Sequence, residues 1–171
     1  MPPMTPPTLA TPTAPTPPHG GETYRLTVPN TAHAPRLARD FISTLLHVSG
    51  YTPLVDDARL CVTELVTNAH RHTRTRLIRV EAVVNRKQAT VYVCDSNPWA
   101  LPVPGGVSLG AVRNVGQSAA PEDGQGLRLV ESLARAWGLT IYGGREPDYK
   151  AVWFTLARGG APGPGGAGVA A

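Results

Sequence analysis

The sequence predicts an α+β domain: a two-layer sandwich in which a mixed, mostly antiparallel sheet carries its helices on one face. Three observations lead there. Strand-patterned runs come in neighbouring pairs, residues 78–84 with 89–94 and 139–142 with 151–156, each pair joined by a short turn-forming stretch. Runs with helical spacing are longer and stand apart from those pairs. Finally, Ile78, Val80, Ala82 and Val84 fall on one side of their strand, while Arg79, Glu81 and Asn85 fall on the other. That alternation belongs to a sheet covered on one side only.

The elements follow in order. Residues 1–21 are nearly all Pro, Thr and Ala and lack apolar periodicity. Such a stretch cannot bury enough surface to offset its ordering entropy, so a disordered tail is expected. Residues 158–171, rich in Gly, Ala and Pro, are expected to be a flexible tail as well. The folded unit is then residues 22–157. A short strand over Tyr24–Val28 stops at Pro29 and Asn30. Pro35 suits the first turn of a helix, and Leu37, Ala38, Phe41, Ile42, Leu45 and Leu46 recur at helical spacing up to a stop at Gly50. Pro53 opens a second helix, from about Leu54 to Thr73. Two strands follow, with Val91 and Val93 of the second facing inward, ending at Asp95 and the turn sequence Ser96-Asn97-Pro98. Residues 96–123 show no sustained period and are expected to form a lid. Gly124-Gln125-Gly126 then leads into an apolar-periodic run of Leu127, Leu129, Val130, Leu133, Ala134 and Trp137, read as a third helix. Strands 139–142 and 151–156 close the domain.

Composition removes several classes of function. At 171 residues and 42% hydrophobic content, the chain can bury one real core. No apolar run approaches the ~20 residues needed to span a bilayer, and the start has no basic, hydrophobic leader. A cytoplasmic protein without membrane contact is expected. Cys61 and Cys94 have no partner at metal-like spacing and read as small buried apolar residues of a reducing compartment. The formal charge of +4 is too modest to select a partner. Direct nucleic-acid binding through Arg71, Arg74, Arg76 and Arg79 is not expected, because Arg79 alternates as a solvated face would and no aromatic residues are interleaved to stack bases.

Three stretches can carry chemistry. With about 100° per residue and Glu64 at zero, Leu54, Ala58, Cys61, Val62, Leu65, Val66 and Ala69 fall in one arc. Glu64 and Asn68, spaced i and i+4, lie together at its margin, where a carboxylate and an amide can look into a cleft. Asp95 ends a buried strand; its carboxylate either merely starts a turn or accepts a hydrogen bond from an amine in a pocket. Gly124 and Gly126 beside a helix start let backbone N–H groups approach an anion such as phosphate, although two glycines there are also common in plain loops.

In this order the three stretches resemble the small histidine-kinase-like ATPase domains of the GHKL superfamily, and among them the anti-sigma factor serine/threonine kinases and their small bacterial relatives. Glu64-x-x-x-Asn68-Ala69-x-x-His72 is similar to the family's N box, Asp95 to the Asp of its first G box, and Gly124-x-Gly126-Leu127-x-Leu129-Val130 to its second G box. Trp137-Gly138 and Lys150-x-Val152-Trp153-Phe154 add to the likeness, which covers about Tyr24 to Leu156. The resemblance implies the histidine-kinase-like ATPase fold with ATP and Mg²⁺ as cofactors. It implies that Asn68 ligates Mg²⁺, Glu64 is the general base, Asp95 reads the adenine amine, and Gly124, Gln125, Gly126 and Leu127 hold phosphates. His72 either touches the ligand or fills an edge-of-core position.

Some positions depart from the family pattern. Asp95 is followed by Ser96-Asn97-Pro98, with no glycine until Gly105. Thr73 stands where the family often has Gly, and Ala151 where a small hydroxyl residue is often found. No dimerisation-and-phosphoacceptor helix pair precedes the domain, so His-to-Asp signalling by this chain alone is not expected. The resemblance implies a serine/threonine protein kinase that phosphorylates an antagonist protein and controls a sigma factor, with a homodimer expected from the likeness alone. The alternative is a nucleotide-binding switch that acts by protein–protein interaction without catalysis.

Overall fold

A computed structural model of the chain describes residues 20–99, 125–143, 146, 148–159 and 168–170. Residues 100–123 of the expected 96–123 lid, Gly124 and most of both expected tails lie outside the described residues. The strands are β1 (Glu22–Pro29), β2 (Leu77–Val84), β3 (Gln88–Asp95), β4 (Ala136–Tyr142), β5 (Tyr149–Ala157) and β6 (Gly168–Ala170). The helices are α1 (Ala34–Val48), α2 (Val55–His72) and α3 (Gln125–Leu133), with a 3-10 turn at Thr52–Leu54 before α2. The sheet runs β1-β2-β3-β5-β4-β6. Every neighbouring pair is antiparallel except β4 and β6, which are parallel. This is the predicted α+β sandwich. β6, a short strand near the chain's end, was not foreseen.

The core lies between the sheet and α1 and α2. Ile78, Val80, Ala82, Val91, Val93 and Phe154 from the sheet meet Ala38, Ile42, Leu46, Ala58, Cys61, Val62, Leu65, Val66 and Ala69 from the helices, all buried. The period-2 and period-3.6 patterns in the sequence are therefore the two sides of one core. Helix α1 ends as its glycine foretells. Gly50 has φ of 75°, Tyr51 N–H donates to Leu46 O at 2.7 Å, and Gly50 N–H donates to His47 O at 3.2 Å. Those two bonds close a Schellman motif, which needs the left-handed conformation that glycine adopts without strain. Arg158 at the far end of β5 adds a hydrogen bond to Gly50 O at 2.6 Å and stacks over the Tyr51 ring at 4.2 Å.

Two sequence expectations change. The third helix stops at Leu133, and Trp137 lies on β4 opposite Phe154. Trp137 satisfies the helical spacing but also alternates with Leu139 and Ile141, and pairing with β5 decides between the two; Arg135 N–H already donates to Thr155 O at 2.9 Å. The outer face of the sheet is less wet than expected. Arg25 and Glu81 pair there at 3.0 Å, but towards β5 the face carries Tyr92 against Trp153 and Tyr142 stacked on Tyr149, all half-buried. Arg79 lies 5.2 Å from the Tyr149 ring, so it is sheltered by an aromatic neighbour rather than fully solvated. Both cysteines are free and buried, and burial pushes the Cys61 thiol up to about 12, which makes it unreactive. Among the described residues, no helix is long and apolar enough to cross a membrane.

Candidate functional site

Helix α2 is held at both ends by its own sequence. Asp56 and Asp57 sit in its first turn and Arg71, between His70 and His72, in its last, so the fixed charges match the helix dipole. Thr73 closes the helix by returning its hydroxyl to Ala69 O at 2.6 Å. His70 Nδ1 lies 2.7 Å from Asn30 Oδ1, and Asn30 Nδ2 donates to Thr75 O at 2.9 Å. Those bonds tie the last turn of α2 to the connection that enters β2. The Thr75 hydroxyl in turn accepts the backbone N–H of Ser96 at 3.4 Å, just past the end of β3. One end of the sheet and one end of α2 are therefore fixed together.

Glu64 and Asn68 face this end from α2. Both are half-buried, and neither side chain has a hydrogen-bond partner among the described residues. His72 is exposed one turn further on. Helix α3 packs against α2 through a close approach. A side-chain carbon at Gly126 would overlap Oε2 of Glu64 and stand 3.2 Å from its carboxyl carbon. Only a residue without Cβ lets the two helices meet this way with Glu64 in place. Gly126 is the second residue of α3, so the helix begins at Gln125 rather than after the glycines. The first N–H groups of α3, unpaired within the helix, are thus near the Glu64 carboxylate. Gln125 is exposed, and Leu127 is buried and anchors the first turn. Gly124 lies outside the described residues.

Asp95 ends β3 on the helix-facing side, in alternation with Val91 and Val93. It is not open. Lys150 Nζ donates to Asp95 Oδ1 at 2.7 Å and to Asn97 O at 2.6 Å, and Asn97 N–H donates to the same Oδ1 at 2.9 Å. The two side chains are each 3% exposed. Burial pushes the Asp95 carboxyl above its ordinary range and the Lys150 ammonium below its own, while their pairing opposes both shifts. At 2.7 Å the bond has the length of a charge-assisted contact.

Lys150 is the polar residue that sequence reasoning missed. The signal was strand parity. Lys150 alternates with Val152, Phe154 and Leu156, which face the core, so it had to point inward, and the β3–β5 pairing sets it opposite Asp95. The structure thus brings Glu64, Asn68 and Gly126 together and gives Asp95 an internal partner.

The donor set fits the implied ligands unevenly. A half-buried carboxylate and amide without partners among the described residues, beside a glycine-bearing helix start, would suit phosphate and a divalent cation held by Asn68. Asp95, the carboxylate expected to read the base, is already paired with Lys150. Among the described residues, no three His, Cys, Asp or Glu side chains cluster to hold a metal by themselves. Comparison with known proteins gives one family: the model for the histidine kinase-like ATPase domain matches residues 28–156, from the end of β1 to the end of β5. No curated protein gives a match.

Proposed function

This chain belongs to the histidine kinase-like ATPase family, and from that premise we propose that it binds ATP and transfers the γ-phosphate to a Ser or Thr hydroxyl of an antagonist protein, thereby controlling a sigma factor. The observation that carries the reading is the approach of Gly126 to Glu64, which sets a carboxylate beside the start of α3. Asn68 would hold Mg²⁺, which when bound neutralises phosphate charge. Backbone N–H groups at Gly126 and Leu127 orient the phosphates. Glu64 takes the proton from the attacking hydroxyl as the new O–P bond forms and the bond to the leaving ADP breaks. The products are ADP and a phosphoserine or phosphothreonine. Positioning and charge neutralisation supply most of the rate in such a transfer.

A second reading is favoured by one observation. Because Lys150 holds Asp95, the chain also suits a nucleotide-sensitive switch that binds a partner protein without catalysis. Purified chain, labelled ATP and candidate antagonist proteins separate the two. Label in the antagonist that disappears with Glu64→Ala supports the kinase. Antagonist that binds in a nucleotide-dependent way and stays unlabelled supports the switch. Antagonist neither bound nor labelled contradicts both.

A further inference from the structure

We propose that Lys150 is an internal competitor for Asp95, so that Asp95 reads a nucleotide base only after Lys150 has left it. The proposal rests on the nucleotide reading above and adds a control to the same site.

Lys150 closes off Asp95 rather than using up its carboxylate. Oδ1 of Asp95 accepts from Lys150 Nζ and from Asn97 N–H, Oδ2 accepts no hydrogen bond among the described residues, and the pair is shut off from solvent at 3% exposure on each side. An exocyclic amine finds a lone pair on Oδ2 but needs a path to it, which the buried pair does not offer. The competitor is set by register rather than by a chance side-chain position: Asp95 and Lys150 are directly opposite in the β3–β5 ladder, with both side chains on the helix-facing side. Release is within reach of a lysine. Lys150 is the second residue of β5, next to the connection that follows β4, and a four-carbon stem can carry its ammonium out to water while the stem stays packed. Release would also take the ammonium away from Asn97 O, which shares it. Base binding is thereby coupled to the backbone just beyond β3. Until Lys150 leaves, the fraction of molecules competent to bind is reduced, and apparent affinity falls by that fraction.

The experiment is a calorimetric titration of the full chain and of Lys150→Met with a non-hydrolysable ATP analogue and Mg²⁺. We expect Lys150→Met to bind at least tenfold more tightly. Equal affinity would mean that the base is read with the pair intact, and weaker affinity that Lys150 itself holds the nucleotide; either overturns the competition while the nucleotide reading stands. Absence of binding by both proteins overturns the two together. Should Lys150→Met fail to fold, the native chain decides. It has two lysines, Lys150 buried and Lys87 exposed, so Lys87 is an internal reference for amine acylation read by mass spectrometry. Labelling of Lys150 relative to Lys87 is expected to rise at least tenfold when saturating analogue is added. An unchanged ratio overturns the proposal.

Discussion

Glu64 and Asp95 are both acidic residues at one end of the sandwich, and their surroundings are opposite. Glu64 is half-buried, unpaired among the described residues, and close to the start of α3. Asp95 is closed from water and bonded to an ammonium and a backbone N–H. Among the described residues the helix carboxylate has no partner; the strand carboxylate is already part of the fold. A motif position therefore does not fix a residue's state. What fixes it is the residue that the sheet register places opposite.

The sharpest way to break this contrast is to delete each carboxylate. Asp95→Ala leaves the Lys150 ammonium buried with Asn97 O as its remaining partner, and loss of one member of a buried pair costs about 3–5 kcal/mol. Glu64→Ala, away from any such pair, is expected to change stability by about 0.5 kcal/mol. Urea unfolding of both variants checks this, and equal losses would remove the distinction.

A pH series sharpens it. Burial holds the Asp95 carboxyl above its ordinary value, and the Lys150 ammonium restrains that shift. Lys150→Met removes the restraint. A carboxyl raised above its unfolded value contributes stability at low pH that is lost as pH rises through the raised value. Unfolding free energy of Lys150→Met should therefore fall as pH rises through the region just above the ordinary carboxylate range, by up to ~1.4 kcal/mol per pH unit. The native chain, with the pair intact, should show a shallower fall. Parallel curves would mean that the pair contributes little.

Gly126→Ala tests the other side. The obstructing atom is the end of a flexible side chain, so Glu64 can move aside, and alanine is favoured over glycine in a helix by about 1 kcal/mol. Stability should change by about 1 kcal/mol or less, while on the proposed mechanism phosphoryl transfer drops at least tenfold because Glu64 is displaced. Full activity in that variant would remove the close approach from the mechanism. Asn68→Ala should have the smallest structural effect, about 0.5 kcal/mol or less in urea unfolding. A larger loss would mean that its amide holds the fold rather than a ligand.

Much of this was legible in the sequence. The alternation of Ile78, Val80, Ala82 and Val84 and the arc of Ala58, Cys61, Val62, Leu65, Val66 and Ala69 are local patterns, and each is the buried face it predicted. Gly50 marked the end of α1 for a local reason as well. Long-range pairing was not legible. Trp137 fits two periods, and only β5 selects the strand. Gly126 read as loop chemistry, whereas its lack of a side chain makes room for a carboxylate on another helix. Lys150 lies 55 residues from Asp95, and their pairing depends on a ladder that no local pattern specifies.

The central claim is that the end of the sandwich carrying Glu64 and Asn68 binds ATP with Mg²⁺. Calorimetric titration of the purified chain with a non-hydrolysable ATP analogue, with and without Mg²⁺, tests it most directly, with Asn68→Ala as the paired variant. The account predicts Mg²⁺-dependent binding that disappears in Asn68→Ala while its unfolding curve stays unchanged. No binding by the native chain at millimolar analogue, or unaltered affinity in Asn68→Ala, would contradict it.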